Sequence, residues 1–336
     1  MLDGPPAARG LAHVTSQPVS VGIIGAGIMG ERMLTAILDQ PPQSIALAGI
    51  WDPSSAAMKR IAARFPSVPQ LADAAAAIRA SDCLYVASPP ASHLGYARQA
   101  LDAGKVVFCE KPLAVDVADA RAFVAEAGGR GAVNFPFASS VGVATLKRWI
   151  DEGAVGRPTR IAIEVAFATW PRSWQADAAS WLDARAEGGF TREVVSHFLF
   201  LCRRLAGPLA NLQARAEFPD AGKSERRIDA TLTAGGLPVT LAGHVGRTDK
   251  DDHNTWLLEG EAGAVRLRDW AIPERRMADG TFQPAPDLMP HPEARLVALR
   301  RQLDGVARLA RGEPHHLATL QEALDVQEIV EAILAG

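Results

Sequence analysis

A glycine turn set between an apolar run and a helical repeat restricts this chain more than any other feature. Val19 to Ile24 is a short apolar run, Gly25-Ala26-Gly27-Ile28-Met29-Gly30 follows, and apolar residues then recur at helical spacing from Ile28 to Leu38, with Pro41-Pro42 closing the helix. Strand, G-x-G-x-x-G turn and helix in that order make the dinucleotide-binding turn of a parallel α/β sheet. The first glycine permits the tight turn. The second lets backbone approach a pyrophosphate, and the third lets helix and strand pack closely. The helix N-terminus then offers N–H groups and the positive end of its dipole to the phosphates. The glycine spacing alone is a weak signal; the flanking strand and helix give it weight. Gly25, Ala26, Gly27, Ile28, Met29 and Gly30 are therefore the expected pyrophosphate contacts.

An acid is expected about 20 residues further on, at the end of the second strand. Asp52 stands there, in Gly49-Ile50-Trp51-Asp52-Pro53. Its plainer use is as a cap or turn residue before the next helix. A carboxylate at this place accepts from a ribose 2′-hydroxyl and repels a 2′-phosphate. No arginine follows it directly, and Lys59 and Arg60 are expected to be solvated. NAD is the expected cofactor, with NADP as the alternative.

The rest of the first half keeps the rhythm. Strands are predicted at Ile45–Trp51, Cys83–Ala87, Val106–Cys109 and Ala132–Phe135, and helices at Ser55–Arg64, Ala74–Ile78, His93–Ala103 and Val117–Ala127. That alternation is the signature of a doubly wound parallel sheet. After about residue 136 it changes. Helices are predicted at Val141–Ile150, Glu193–Leu205, Glu293–Arg311 and Leu317–Leu334. Strands are predicted at Arg160–Ala168, Ala210–Phe218, Arg227–Thr233, Val239–Val245, Thr255–Glu259 and Ala264–Asp269. Successive strands without helices between them imply an α+β unit with a largely antiparallel sheet. The expected division is a mobile tail at 1–19, a Rossmann domain at 20–135, and a substrate-binding and oligomerisation domain at 136–336.

The chain's 336 residues, 48% hydrophobic, suffice for two such units. A net charge of −3 gives no electrostatic case for nucleic acid or an anionic membrane. No apolar run reaches membrane-spanning length. Cys83, Cys109 and Cys202 are scattered, with no C-x-x-C pair, so neither a disulfide framework nor a metal site is expected, and a cytoplasmic setting fits.

Two further groups can carry chemistry. Glu110-Lys111-Pro112 ends the strand Val106–Cys109, and ligands of an open parallel sheet bind off the carboxyl ends of its strands. A lysine there can stabilise an alkoxide or pass a proton; equally, it can be a surface lysine before a helix. Glu193 and His197 stand four residues apart, on one face of a helix. The carboxylate would then fix the imidazole tautomer and raise its basicity; a buried histidine satisfied by a glutamate is the commoner situation. Gly188 and Gly189 before this helix would let backbone or substrate come close. His315-His316 is expected to be solvated.

These residues resemble the Gfo/Idh/MocA oxidoreductases, the family of glucose–fructose oxidoreductase and inositol dehydrogenase. The likeness runs through Val21–Gly30, Ala87 to His93, Ala103 to Leu113, Gly188 to His197, and Thr319 to Leu324. It implies that Lys111 lies beside the nicotinamide, that His197 takes the substrate's hydroxyl proton, and that Ser88, Pro89 and Glu110 line the cofactor. It also implies a homodimer or homotetramer through the open face of the second sheet. Three positions depart from the family: Glu193 for aspartate, Val195 for glycine, and Pro136 for an arginine that often holds polar substrates two residues after Asn134. Asn134, Trp170, Arg172 and Trp174 are the candidate substrate contacts, with Trp181 and Arg185 near them; packing at a domain interface is the simpler role for these tryptophans. The expected reaction is hydride transfer between NAD(P) and a secondary alcohol or ketone of a small polyhydroxylated or cyclic substrate. The alternatives are glycoside cleavage with transient oxidation, C=N or C=C reduction, and a cofactor-binding sensor without turnover.

Overall fold

A computed structural model describes residues 17–40 and 44–336. Most of the expected tail, and the Pro41-Pro42 stop, lie outside the described residues. The first sheet contains β1 (Val19–Ile24), β2 (Ile45–Trp51), β3 (Cys83–Val86), β4 (Val106–Glu110) and β5 (Gly131–Asn134), all parallel. Their order is β5-β4-β3-β1-β2, so the winding reverses at β1, and the glycine turn leaves from that switch point. The helices between them are α1 (Ile28–Leu38), α2 (Ser55–Arg64), α3 (Ala74–Ala80), α4 (His93–Asp102) and α5 (Val117–Ala127). The strands are nearly continuous apolar runs because both faces are covered. Side chains of Ser54, Asp73 and Asp116 cap α2, α3 and α5.

The second sheet follows α6 (Val141–Asp151). It has eight strands: β6 (Pro158–Phe167), β7 (Leu209–Glu217), β8 (Arg227–Ala234), β9 (Leu237–Val245), β10 (His253–Gly260), β11 (Ala264–Arg268), β12 (Ile272–Arg276) and β13 (Phe282–Pro284). All neighbours are antiparallel except β6 and β9. One face of β6 buries Ile161, Ile163, Val165 and Phe167, while Arg160 and Glu164 point to solvent. A short α7 (Ala179–Leu182) and then α8 (Ser196–Leu205) lie between β6 and β7. All described residues of α8 from Ser196 to Cys202 are buried, so this helix is the spine between the two sheets.

The chain then returns to the first sheet. α9 (His291–Ala310) shares an apolar core with β1 and α1 through Leu303, Val306 and Ala307. β14 (Ala318–Thr319) adds an antiparallel edge beside β5, and α10 (Leu320–Ala335) opens with a Thr319/Glu322 capping box. The strands β12, β13 and β14 were not expected. They are two to five residues long and carry no alternation long enough to register.

The third glycine holds the first sheet to its first helix. A Cβ on Gly30 would lie 1.9 Å from the Gly25 carbonyl oxygen. Gly30→Ala is therefore expected to lower stability by about 1–3 kcal/mol, as overpacking does. Thermal unfolding followed by circular dichroism checks this, and an unchanged midpoint would show that the turn has room to yield.

Candidate active site

The glycine turn is closed on two sides and open on one. Gly25 has φ +108°, and a Cβ on it would meet the Ala87 carbonyl at 2.5 Å and the Ser88 nitrogen at 2.6 Å. A Cβ on Gly27 would meet nothing within 4 Å. The space a side chain would fill thus lies above the second glycine, at the start of α1, where no side chain caps the helix. Ala26 N–H donates to Asp52 Oδ2 at 2.8 Å, and Ser54 N–H donates to Oδ1 at 2.8 Å. Asp52 so fills both of its expected uses, bracing the turn and starting α2. A carboxylate has about four acceptor sites, which leaves capacity for a ribose hydroxyl. Ser88 is half-buried and Pro89 exposed, beside Gly25. These residues fit a dinucleotide. Lys59 is exposed as expected. Arg60 is not simply solvated: it donates to the Ala26 carbonyl at 2.7 Å and to Glu31 at 2.9 Å, clamping the turn from outside.

Lys111 directly follows β4 and has only 10% of its side chain exposed. Its ammonium lies 3.0 Å from Glu193 Oε1 and donates to the carbonyls of Arg192 and Glu193, each at 3.4 Å. Those carbonyls belong to a π-helical turn, Thr191–Val195, that precedes α8. The expected continuous α-helix from Glu193 is corrected here: its first turn is π, a form frequent at functional sites. The expected Glu193–His197 hydrogen bond is absent as well. Glu193 turns to Lys111, since an ammonium is a stronger partner for a carboxylate than a neutral imidazole.

His197 is 8% exposed, and its Nδ1 has no partner. Phe135, Phe137 and Trp270 stand perpendicular to it, with centroids at 5.5, 6.0 and 5.4 Å. Burial, and then the charges of Lys111 and Arg172, hold its pKa well below the ordinary 6.5. The ring is neutral at neutral pH.

The two glycines before this turn serve the protein's own packing. A Cβ on Gly188 would lie 2.2 Å from the Leu182 carbonyl oxygen, and one on Gly189, where φ is +101°, 2.2 Å from Glu225 Oε2. Glu225 is buried and accepts from Thr191 N–H and Thr191 Oγ1, both at 2.6 Å, so it caps the π-turn. Burial pushes its carboxyl pKa up, against those two bonds and Arg192. Arg192 pairs with Glu331 on α10 through two bonds of 2.7 Å. Neither Glu225 nor Glu331 was marked by the sequence, because each lies far along the chain from the turn it holds.

The other candidates separate. Asn134 is buried and fully engaged: its amide nitrogen donates to Glu110 Oε1 at 2.6 Å, and its oxygen accepts from Gln302 on α9. It is committed to holding strands and helix together rather than facing a substrate. Tyr85 also donates to Glu110 Oε1, while Glu110 Oε2 accepts none of these bonds. Burial raises the Glu110 pKa. Trp170 is core, packed on Phe167 and Phe190, with its indole N–H donated to the Leu182 carbonyl. Arg172 is buried and pairs with Asp252 at 2.7 Å, with Trp174 over its guanidinium at 4.7 Å. Trp174 is 53% exposed, and Trp181 and Arg185 are exposed as well.

Trp270 was missed. It has φ +69°, after Asp269 at +46°, in a region that bulky residues avoid. Its indole N–H donates to Asp252 Oδ2 at 2.8 Å and its backbone N–H to Asn254 Oδ1 at 3.0 Å. These bonds maintain the strained backbone and set the indole beside His197. No described helix is long and apolar enough to cross a membrane, and no cluster of three metal-ligating side chains occurs among the described residues.

Residues 19–136 match the family model described as "Oxidoreductase family, NAD-binding Rossmann fold", and residues 143–266 match the GFO/IDH/MocA C-terminal domain. A levoglucosan dehydrogenase from Pseudarthrobacter phenanthrenivorans is 27% identical over 74% of this chain and 66% of its own length. Inositol 2-dehydrogenase 3 from Saccharopolyspora erythraea is 32% identical over 64% of this chain and 66% of its own. The match thus spans just under two thirds of each relative. An oxidoreductase from Agrobacterium radiobacter, solved in complex with NAD+, L-tartaric acid and magnesium, has the same fold, with a TM-score of 0.78 at 19% identity, over 95% of this chain and 96% of that one. The chain belongs to the Gfo/Idh/MocA oxidoreductases, and its first sheet is the family's NAD-binding unit.

Because a Cβ on Gly27 enters only the open space, Gly27→Ala is expected to keep the melting temperature while weakening NAD binding by about tenfold or more, the cost of one or two lost backbone–phosphate bonds. Isothermal titration with NAD decides it; wild-type affinity would move the pyrophosphate elsewhere.

Proposed function

We propose that this family member moves a hydride between NAD and a secondary alcohol, or its ketone, on a hydroxylated ring. The observation that carries the reading is that Lys111 directly follows β4, while the neutral His197 ring packs on Phe135 directly after β5, with Lys111 near enough to act on its pKa. Bound NAD supplies the hydride acceptor for oxidation. Gly27, the start of α1 and Asp52 would hold its pyrophosphate and ribose, and Ser88, Pro89 and Glu110 Oε2 would line its nicotinamide half. Lys111 would place its ammonium against the substrate oxygen and stabilise developing alkoxide charge. His197 would take the hydroxyl proton, which a ring held neutral can do. Glu193 takes a different role from the one expected of it: it aims Lys111 and leaves His197 to the aromatic residues. In reduction the same groups act in reverse.

A ring substrate is supported by the flat faces of Trp270 and Phe137 beside His197, which suit the C–H face of a cyclic polyol or pyranose. The relatives named for levoglucosan and inositol support the same class. Arg172, paired with Asp252, offers a donor and an acceptor for neighbouring hydroxyls, in a chain where Pro136 supplies no cation. The same reading assigns the solvent face of the second sheet, with Glu164, Gln213, Arg215 and Thr240, to self-association of the chain. Sedimentation velocity returning only monomer would overturn that assignment.

Lys111→Ala is expected to lower kcat for oxidation by about 10²–10⁴-fold, with the NAD dissociation constant within about threefold of wild type. The readout is reduced-nicotinamide absorbance over a panel of cyclic and open-chain polyols. Unchanged turnover would remove Lys111 from the mechanism; product without net absorbance change would favour transient oxidation. The pH dependence follows from His197. Its pKa is depressed, so its base form persists as pH falls through 6.5 and is lost only at more acid pH. The expected kcat/KM for oxidation is level across pH 6.5. An acid limb centred at or above 6.5 that disappears in His197→Asn would contradict the assignment.

A further inference from the structure

His93, the first residue of α4, is 1% exposed and makes two contacts that the proposed reaction does not use. Its Nε2 lies 2.7 Å from the carbonyl oxygen of Ser88, and its Nδ1 lies 2.8 Å from that of Pro112. The first carbonyl belongs to the loop after β3, whose Ser88 nitrogen sits against Gly25 in the cofactor turn. The second follows Lys111 directly in the loop after β4. One imidazole thus spans the two loops between which the nicotinamide half of NAD would lie. Ser92 reinforces the first loop: its hydroxyl donates to the Pro89 carbonyl at 2.8 Å and can accept from the Ser88 hydroxyl 2.7 Å away.

The chemistry of the contacts is one-sided. Carbonyl oxygens only accept, so closing both bonds requires a hydrogen on both ring nitrogens, which is the imidazolium. The neutral ring has one N–H. It closes one bond and turns a lone pair toward the other oxygen at less than 3 Å, so that contact must open. We propose that His93 is a protonation-dependent clasp, a positioning residue whose imidazolium form draws the Ser88 and Lys111–Pro112 loops together around NAD. The charged group facing it is Lys111; the remaining partners are the carbonyls of Ser88, Pro112 and Leu113, which favour the charged ring. Burial and Lys111 act against them, and the balance lowers the pKa from the ordinary 6.5. At neutral pH the neutral ring prevails and one of the two bonds is open; the clasp closes only at pH below 6.5. NAD should favour the closed form, and by linkage should raise the proton affinity of His93.

The inference rests on NAD occupying the cleft over the glycine turn, and the test separates the two. NAD affinity is measured by titration calorimetry on the full chain between pH 5.5 and 7.5, in wild type and in His93→Gln. Wild type is expected to bind NAD about five- to tenfold more tightly at the acid end, the worth of one hydrogen bond, while H93Q shows a flat profile. Parallel profiles in the two proteins overturn the clasp. Failure of wild type to bind NAD at any pH overturns the cofactor reading instead. Nitrogen-15 histidine NMR on wild type needs no variant to fold. The His93 ring resonances, assigned through its backbone, should show two protonated nitrogens at the acid end, and their midpoint should move up when NAD is saturating. A midpoint that NAD leaves in place or lowers overturns the proposal.

Discussion

A lysine with a tenth of its side chain exposed needs acceptors for its ammonium, and the residues around it are arranged to supply them. Glu193 provides one, and two carbonyls provide the rest. In a regular α-helix the carbonyls of residues 192 and 193 would be committed four residues ahead. The π-turn shifts that ladder to five residues ahead, and both carbonyls also accept from Lys111, the Arg192 carbonyl from Ser196 Oγ as well. Such a turn is poorer than an α-turn in its own hydrogen bonding, so it needs outside support. Glu225 caps it from the loop before β8, and Arg192 ties it to α10. Three distant parts of the chain thus meet to place one ammonium.

The same demand explains which features the sequence could announce. The glycine turn and the first sheet were legible because their signals are local: an apolar run, three glycines and a helical period within twenty residues. Lys111, Glu193 and His197 were legible as residue types at strand and helix ends, and the fold pairs Lys111 with Glu193 and brings its charge to bear on His197. Their partnerships were not legible. An i, i+4 spacing says that Glu193 and His197 share a face; it does not say that a cation from another sheet will compete for the carboxylate. Asn134 and Trp170 share types with substrate-binding residues, yet they were drawn into Gln302 and the Phe167–Phe190 core by groups far along the chain. Trp270 had no local signal. Its strand was expected to run through Asp269, and only tertiary bonds from Asp252 and Asn254 hold it in its strained turn.

His197 shows how packing decides chemistry here. For its Nε2 to accept a proton, the neutral ring must carry its hydrogen on Nδ1. That atom is sealed, and it meets no oxygen or nitrogen acceptor among the described residues. A carboxylate at Nδ1 would satisfy the hydrogen but would also raise the ring's pKa, charging it before the substrate arrives. With Glu193 turned away, the rings of Phe135, Phe137 and Trp270 stand perpendicular to the imidazole. These rings carry no charge, so they pack the imidazole without stabilising a charged form. Lys111 and Arg172 add repulsion against protonation. A ring that stays uncharged beside two cations follows from turning one carboxylate away from the histidine and toward the lysine.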